Sequence, residues 1–182
     1  MKPFKSITIV KYPLQSVWAT IRDNLPGLVP LMEDVEKVTL LDRQEQSNGT
    51  VRIDNLWQAN PRLLALLKLN LNPENLAWVD RSEWHTPVFE CHWRIEPRFM
   101  PEHIQSWGVA RYEPAIGGRG TRITFEGQIG AVNNGSGVLP SFLDGPRLRG
   151  FETLAGSLIP NNLRKLTEAV SVYLDAHPPT TL

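Results

Sequence analysis

Apolar side chains in the segment Phe151 to Ala176 (FETLAGSLIPNNLRKLTEAVSVYLDA) fall at Phe151, Leu154, Ala155, Leu158 and Ile159, then at Leu163, Leu166, Val170, Tyr173 and Leu174. Steps of three and four place them on one stripe of an α-helix, which must be buried. Each large side chain covered contributes roughly 1.5–3 kcal/mol, so this helix needs a wide apolar surface to lie on. Pro160 is a fault in it, because a mid-helix proline removes a backbone bond and costs about 3 kcal/mol. The helix either kinks there, or ends near Ile159 and restarts at Pro160, where proline suits a first turn.

Upstream the period changes from helical to alternating. Phe4 to Tyr12 alternates with β-branched residues and predicts a strand. Pro13 stops it, and Leu14, Val17, Trp18 and Ile21 then step at helical spacing through LQSVWATIRD. Two prolines and a glycine in Asn24 to Pro30 end that helix near Asp23. Glu33 to Gln46 and Thr50 to Gln58 flank Ser47-Asn48-Gly49, a strong hairpin signal. Leu76 to Trp84, Val88 to Glu96 and His103 to Glu113 read as three more strands, punctuated by Pro87, the Pro97 to Pro101 stretch and Pro114. After a turn at Gly117-Gly118-Arg119-Gly120 comes Thr121 to Val132, with Ile123, Phe125 and Ile129 on one face and Arg122, Thr124, Glu126 and Gln128 on the other. Pro61 to Leu71 (PRLLALLKLNL) fits a helical turn or two, a buried strand or an apolar flap, and periodicity does not choose among them.

Strand, helix, about six strands and a long helix make an α+β chain. Short turns between consecutive strands mean antiparallel pairing with the helices on one face. The length of 182 residues suits one domain over 1–182 with a real core. Equal numbers of basic and acidic side chains, 19 of each, argue against a nucleic-acid surface. The single cysteine, Cys91, forms no internal disulfide, so nothing points to an oxidising compartment. The N-terminus has no apolar run with a cleavage site, and Leu63 to Leu71 is too short to span a bilayer. A soluble cytoplasmic protein without an integral membrane segment is the expectation.

The opening SITIVKYPLQSVWATIRD, with Pro13, Val17 and Trp18, resembles the start of the START/Bet v 1-like (SRPBCC) superfamily, the polyketide cyclase and lipid-transport group. The block FECHWRIEP…IQSWGVARYEPAIGGRGTRITFEGQIGAV resembles its final strands, including the hairpin exit Gly120-Thr121-Arg122, and the long C-terminal helix is a third mark. The resemblance implies a helix-grip fold: a curved antiparallel sheet of about seven strands around the terminal helix, with an apolar cavity between them.

Candidate chemistry is sparse. The four histidines make no HExxH pair and no Cys-x-x-Cys exists, so neither a metal nor any other cofactor is expected. Glu90 and His92 share a face opposite to Trp93 and read as a solvated pair, while Cys91 reads as a small inward hydrophobe. Gly-x-Ser-x-Gly is missing, and Gly117 to Gly120 lack the Lys-Ser/Thr of a phosphate loop. The six tryptophans carry two readings, core filler or pocket lining. Under the second, Asn55 and Trp57 share a face, Trp78 and Trp93 lie on neighbouring strands, and Phe125 faces the helix. Trp107 and Arg111 share one face and Tyr112 lies on the other; across a possible bulge either could face the pocket, with Arg111 inside it needing an anion or sitting at its rim and snorkelling to water. Leu158 and Leu166 supply the helix side. No acid–base pair stands out. Three functions follow: a carrier or sensor of a small hydrophobic ligand, a metal-free aromatase/cyclase-type enzyme, or a protein-binding or quinone-binding chaperone-like module.

Overall fold

In the computed structural model, residues 1–62, 77–98, 104–131 and 162–178 are described. Strand β1 (Lys2–Val10) runs into Pro13, and helix α1 (Leu14–Asp23) begins directly after it, with the Val17 N–H donating to the Pro13 carbonyl at 3.2 Å. Proline here surrenders no helical hydrogen bond. The helix buries Val17, Trp18, Thr20 and Ile21, the face its spacing predicts, and closes with the Asn24 N–H on the Thr20 carbonyl at 3.0 Å. A four-residue helix α2 (Leu25–Leu28) and a 3-10 turn (Val29–Leu31) then carry the chain to the opposite side of the molecule.

There β2 (Val35–Glu45) starts a meander through β3 (Thr50–Ala59), β4 (Ala77–His85), β5 (Glu90–Pro97), β6 (Ile104–Ala115) and β7 (Gly120–Ala131). The sheet has seven strands in the order β1-β7-β6-β5-β4-β3-β2, with every pair antiparallel. The β2–β3 hairpin turns on Asn48 and Gly49, whose φ of 81° is the left-handed conformation that Asn-Gly turns require. Two register breaks in β2 mark bulges, which bend an edge strand. Pro114, expected to end a strand, lies within β6 opposite Thr121.

The terminal helix α3 is described over residues 162–176. Its buried side chains Leu166, Ala169, Val170 and Leu174 belong to the same core as Val17, Trp18 and Ile21 of α1 and Ile53, Trp57, Trp84, Ile123 and Phe125 of the sheet. Both ends are tethered. Lys165 pairs with Asp34 ahead of β2, and the Tyr12 hydroxyl beyond β1 donates to Asp175 at 2.5 Å. The helix therefore reaches from one edge of the sheet to the other. This is the helix-grip architecture, a curved seven-stranded antiparallel sheet with its helices on one face. Pro160, Leu158 and most of the 61–71 segment lie outside the described residues.

Candidate functional site

Strand register places the helix-bearing inner face residue by residue, because directly opposed residues on antiparallel strands share a face. One transverse row runs Trp57–Trp78–Pro97, the next Asn55–Asp80–Ile95–Ser106–Ile129, the next Ile53–Ser82–Trp93–Gly108–Gly127–Phe4, and the next Val51–Trp84–Cys91–Ala110–Phe125–Ser6. A further row joins Tyr112, Ile123 and Thr8. Helix α1 covers the last rows. Trp18 meets Trp84, Phe89 and Tyr112 with ring centroids 4.9, 5.3 and 5.0 Å away, all close to edge-on. Edge-to-face contacts at these distances are a favourable aromatic geometry. Phe89 takes the left-handed backbone (φ 52°), an unfavourable choice for an aromatic residue, in the turn that delivers its ring to Trp18.

The other end of the inner face is built differently. Trp57 and Trp78 stack at 5.8 Å with 14° between their planes. Trp93 lies across the bare backbone of Gly108 and Gly127 and approaches Phe4 at 5.9 Å. A Cβ on either glycine would come within 2.5 or 2.7 Å of the Trp93 ring, so these two positions form the trough that admits the indole. Between the stacked pair and Trp93 stands Asp80, opposite Asn55. Asn55 is 6% exposed; Asp80 sits at the centre of the sheet but is only partly covered. Burial pushes the Asp80 carboxyl up to about 7; the Trp57 indole opposes this, and the charge of Asp54 adds to it. The Trp57 N–H stops short of a completed hydrogen bond, and Trp93 Nε1 and Ser106 Oγ are also buried without a partner. Ser82, one row on, is fully used: it donates to the Ile53 carbonyl and accepts from Trp84 Nε1, each at 3.0 Å.

Of the residues singled out from sequence, Asn55, Trp57, Trp78, Trp93 and Phe125 are on the inner face, and Leu166 is buried in the core they share with α3. Trp107 and Arg111 are not. Both lie on the outer face, Trp107 40% exposed and Arg111 in ion pairs with Glu90 at 3.0 Å and Glu126 at 2.8 Å. The inward residues of β6 are Ser106, Gly108, Ala110 and Tyr112. Their small side chains hide the parity that Trp107 and Val109 advertise on the wrong side. Asp80 escapes the sequence reading, although it shares the parity of Trp78 and Trp84. Cys91 points inward and burial pushes its thiol well up, while Glu90 and His92 form the outer-face pair their parity predicts, 3.6 Å apart.

The outer face carries a depression of about 590 Å³ over the Gly108–Gly127 pair, flanked by Trp107, Arg111, Lys5 and Glu126. It is open to solvent, and its charged groups already pair with one another. Among the described residues no three His, Cys, Asp or Glu side chains gather where a metal ion could bind. No helix among them is long and apolar enough to cross a membrane.

Strand order, register and the helices on the inner face together define the helix-grip architecture. Solved structures bear this out over nearly the whole chain. The aromatase/cyclase Zhui from Streptomyces sp. R1128 superposes with a TM-score of 0.68 at 12% identity, covering 98% of this chain and 96% of its own. TTHA0849 from Thermus thermophilus gives 0.67 at 17% identity, with 97% and 99% covered. Ara h 8.0201 gives 0.58 at 9% identity, with 96% and 98% covered. At such identities the likeness is one of fold. No family model matches the sequence, and no curated protein does.

Proposed function

We propose that this protein holds a small hydrophobic molecule, a lipid, polyketide or aromatic compound, between the inner face of the sheet and the terminal helix, as carrier or sensor. The observation that carries this reading is the cluster of Trp57, Trp78 and Trp93 at the end of the inner face that α1 leaves free. Flat indoles suit a pocket for an apolar ring, and the buried N–H groups of Trp57 and Trp93 stand unpartnered beside Ser106 Oγ, where buried groups are normally bonded. The neutral fluorophore N-phenyl-1-naphthylamine should bind the folded protein at about one per chain and quench indole emission. Trp93→Ala should weaken that binding far more than Glu90→Ala, its neighbour on the outer face. Absent binding, or equal sensitivity to both substitutions, would sink the pocket.

A second reading is an aromatase/cyclase-type enzyme using the same cavity. Asp80 favours it, because a carboxyl titrating near neutrality is tuned for proton transfer. Turnover of a linear poly-β-ketone thioester, abolished in Asp80→Asn, would establish that reading over simple carriage.

A further inference from the structure

We infer that Asn55, Asp80, Trp57 Nε1 and Ser106 form a polar pole inside the indole-lined end of the inner face, built to bind the neutral hydroxyl or carbonyl oxygen of an otherwise apolar ring-bearing ligand. This rests on the ligand-binding reading above and narrows it to a class of molecule.

The argument begins with hydrogen-bond accounting. Buried polar side chains are almost always bonded, since leaving one unmade costs about 1–3 kcal/mol. Here Trp57 Nε1, Trp93 Nε1 and Ser106 Oγ are buried without partners, and they fall in three adjacent rows of one face. Asn55, 6% exposed, stands in the same row as Ser106 and directly opposite Asp80. Two more unbonded atoms, Thr8 Oγ1 and Trp18 Nε1, stand singly in the aromatic end and have no such company. The cluster is rich in donors: two indole N–H groups that can only donate, an amide, a hydroxyl and, when protonated, a carboxyl. Its complement is an oxygen that accepts.

Charge decides which oxygen. The titratable groups bearing on Asp80 are Asp54, on the reverse face of β3, and Cys91 and Tyr112 farther along the inner face, all of them acids. The basic residue of the row, Lys2, ends it on β1, exposed and four strands from Asp80, and no basic group shifts the Asp80 carboxyl. Arg43, opposite Ile53, is held by Asp23 at 3.0 Å and by Glu45 at 2.9 Å. Beside acids alone, a ligand carboxylate meets repulsion and no counter-charge, whereas a phenol or ketone meets donors. The stacked Trp57–Trp78 pair and Trp93, on either side of the pole, grip the apolar remainder.

Naphthalene, 1-naphthol and 1-naphthoate share one ring system and differ only at the polar group. Calorimetric titration at pH 7 should show 1-naphthol binding at least tenfold tighter than naphthalene. That advantage should vanish in Asp80→Leu and Asn55→Leu and survive in Asp80→Asn, which keeps the shape and a donor. 1-Naphthoate should bind weakest at pH 8 and gain as pH falls through 7 and Asp80 becomes neutral. In Asp80→Asn that gain should disappear; His85 and His92 lie on the outer face, away from the pole. Thermal melting of each variant separates lost binding from lost folding. If naphthalene itself fails to bind, the ligand-binding reading falls. If naphthalene binds but 1-naphthol gains nothing over it, or its gain survives in folded Asp80→Leu, the polar pole is overturned.

Discussion

Trp18 and Trp93 are both inward-facing indoles whose buried N–H groups lack partners, yet they are packed differently. Trp18, 3% exposed, is held edge-on by three rings within 5.3 Å, one of them from a residue forced into the left-handed backbone to reach it. Among the described residues Trp93 has a single ring neighbour, at 5.9 Å; it lies over two glycines, is only partly covered, and has a carboxyl and an amide in the adjoining row. A helix laid across one end of a curved sheet fills that end with its own side chains. At the other end, among the described residues, the sheet's own side chains do most of the filling. Packing divides along that line, and so should the effects of substitution.

The largest effect belongs to the filled end. Trp18→Ala removes the ring on which Trp84, Phe89 and Tyr112 converge. It should cost about 3–5 kcal/mol in chemical denaturation, the usual loss when rigid neighbours cannot close a cavity. A loss under about 1 kcal/mol would mean that the two ends are packed alike.

Gly108→Ala tests the trough. The new methyl would meet the Glu126 carbonyl oxygen at 2.1 Å and the Trp93 ring at 2.5 Å, with backbone on one side and a large ring on the other. Overpacking of this kind costs about 1–3 kcal/mol. Because the ring is the movable partner, the near-ultraviolet circular dichroism of Trp93 should change along with stability. An unchanged spectrum would show that the indole does not rest on the glycine.

Asp80 makes the third contrast, one of sign. Its folded carboxyl titrates near 7, well above the value of about 3.9 for an unfolded chain. Between those values the folded state holds a proton that the unfolded state has released, so stability falls as pH rises from about 4 through 7 and then levels. Asp80→Asn should abolish that slope, gaining up to about 4 kcal/mol at about pH 8 and almost nothing at about pH 4. Asp23, near the C-terminus of α1, runs the other way. Burial alone would raise it, but hydrogen bonds from Arg22 and Arg43 leave it below the ordinary carboxylate range, so its contribution is lost as pH falls. Matching unfolding curves for wild type and Asp80→Asn at both pH values would remove the buried carboxyl from consideration.

The filled end is more legible in the sequence than the open one, for a physical reason. Helix α1 can be read at the observed bounds, Leu14 to Asp23, because proline, helical period and buried stripe coincide there. The alternation of β7 and β3 declares their inner faces because large apolar side chains do the declaring. The open end is made with residues that carry weak or misleading signals. Gly108 and Gly127 contribute by having no side chain, and Ser106 and Ala110 are small, so the pattern of β6 leaves its inner face undecided and lets Trp107 and Arg111 stand as pocket candidates. Asp80 is a charge-bearing residue on an inward parity, which hydrophobic patterning counts as a break in the strand's face rather than as a member of it.

Arg111 gives the smallest effect, and it guards the comparison against a trivial explanation. If the two ends differed only because β5, β6 and β7 are weakly held strands, damage anywhere on those strands would spread to the pocket. Arg111 is on β6, one residue from the buried Tyr112, but its side chain lies on the outer face between Glu90 and Glu126, and Lys5 completes the row at 2.5 Å from Glu126. Hydrogen bonds from Lys5 and Arg111 hold the Glu126 carboxyl below its ordinary value, but the row is exposed, where water and salt screen it. Arg111→Ala should therefore cost less than about 1 kcal/mol, and less still at high salt. It should leave naphthylamine binding unchanged, because the backbone and the inner side chains of β6 keep their places. A large loss of binding in Arg111→Ala would mean that the outer face governs the inner one, and the contrast between Trp18 and Trp93 would then reflect strand stability rather than the way each end is filled.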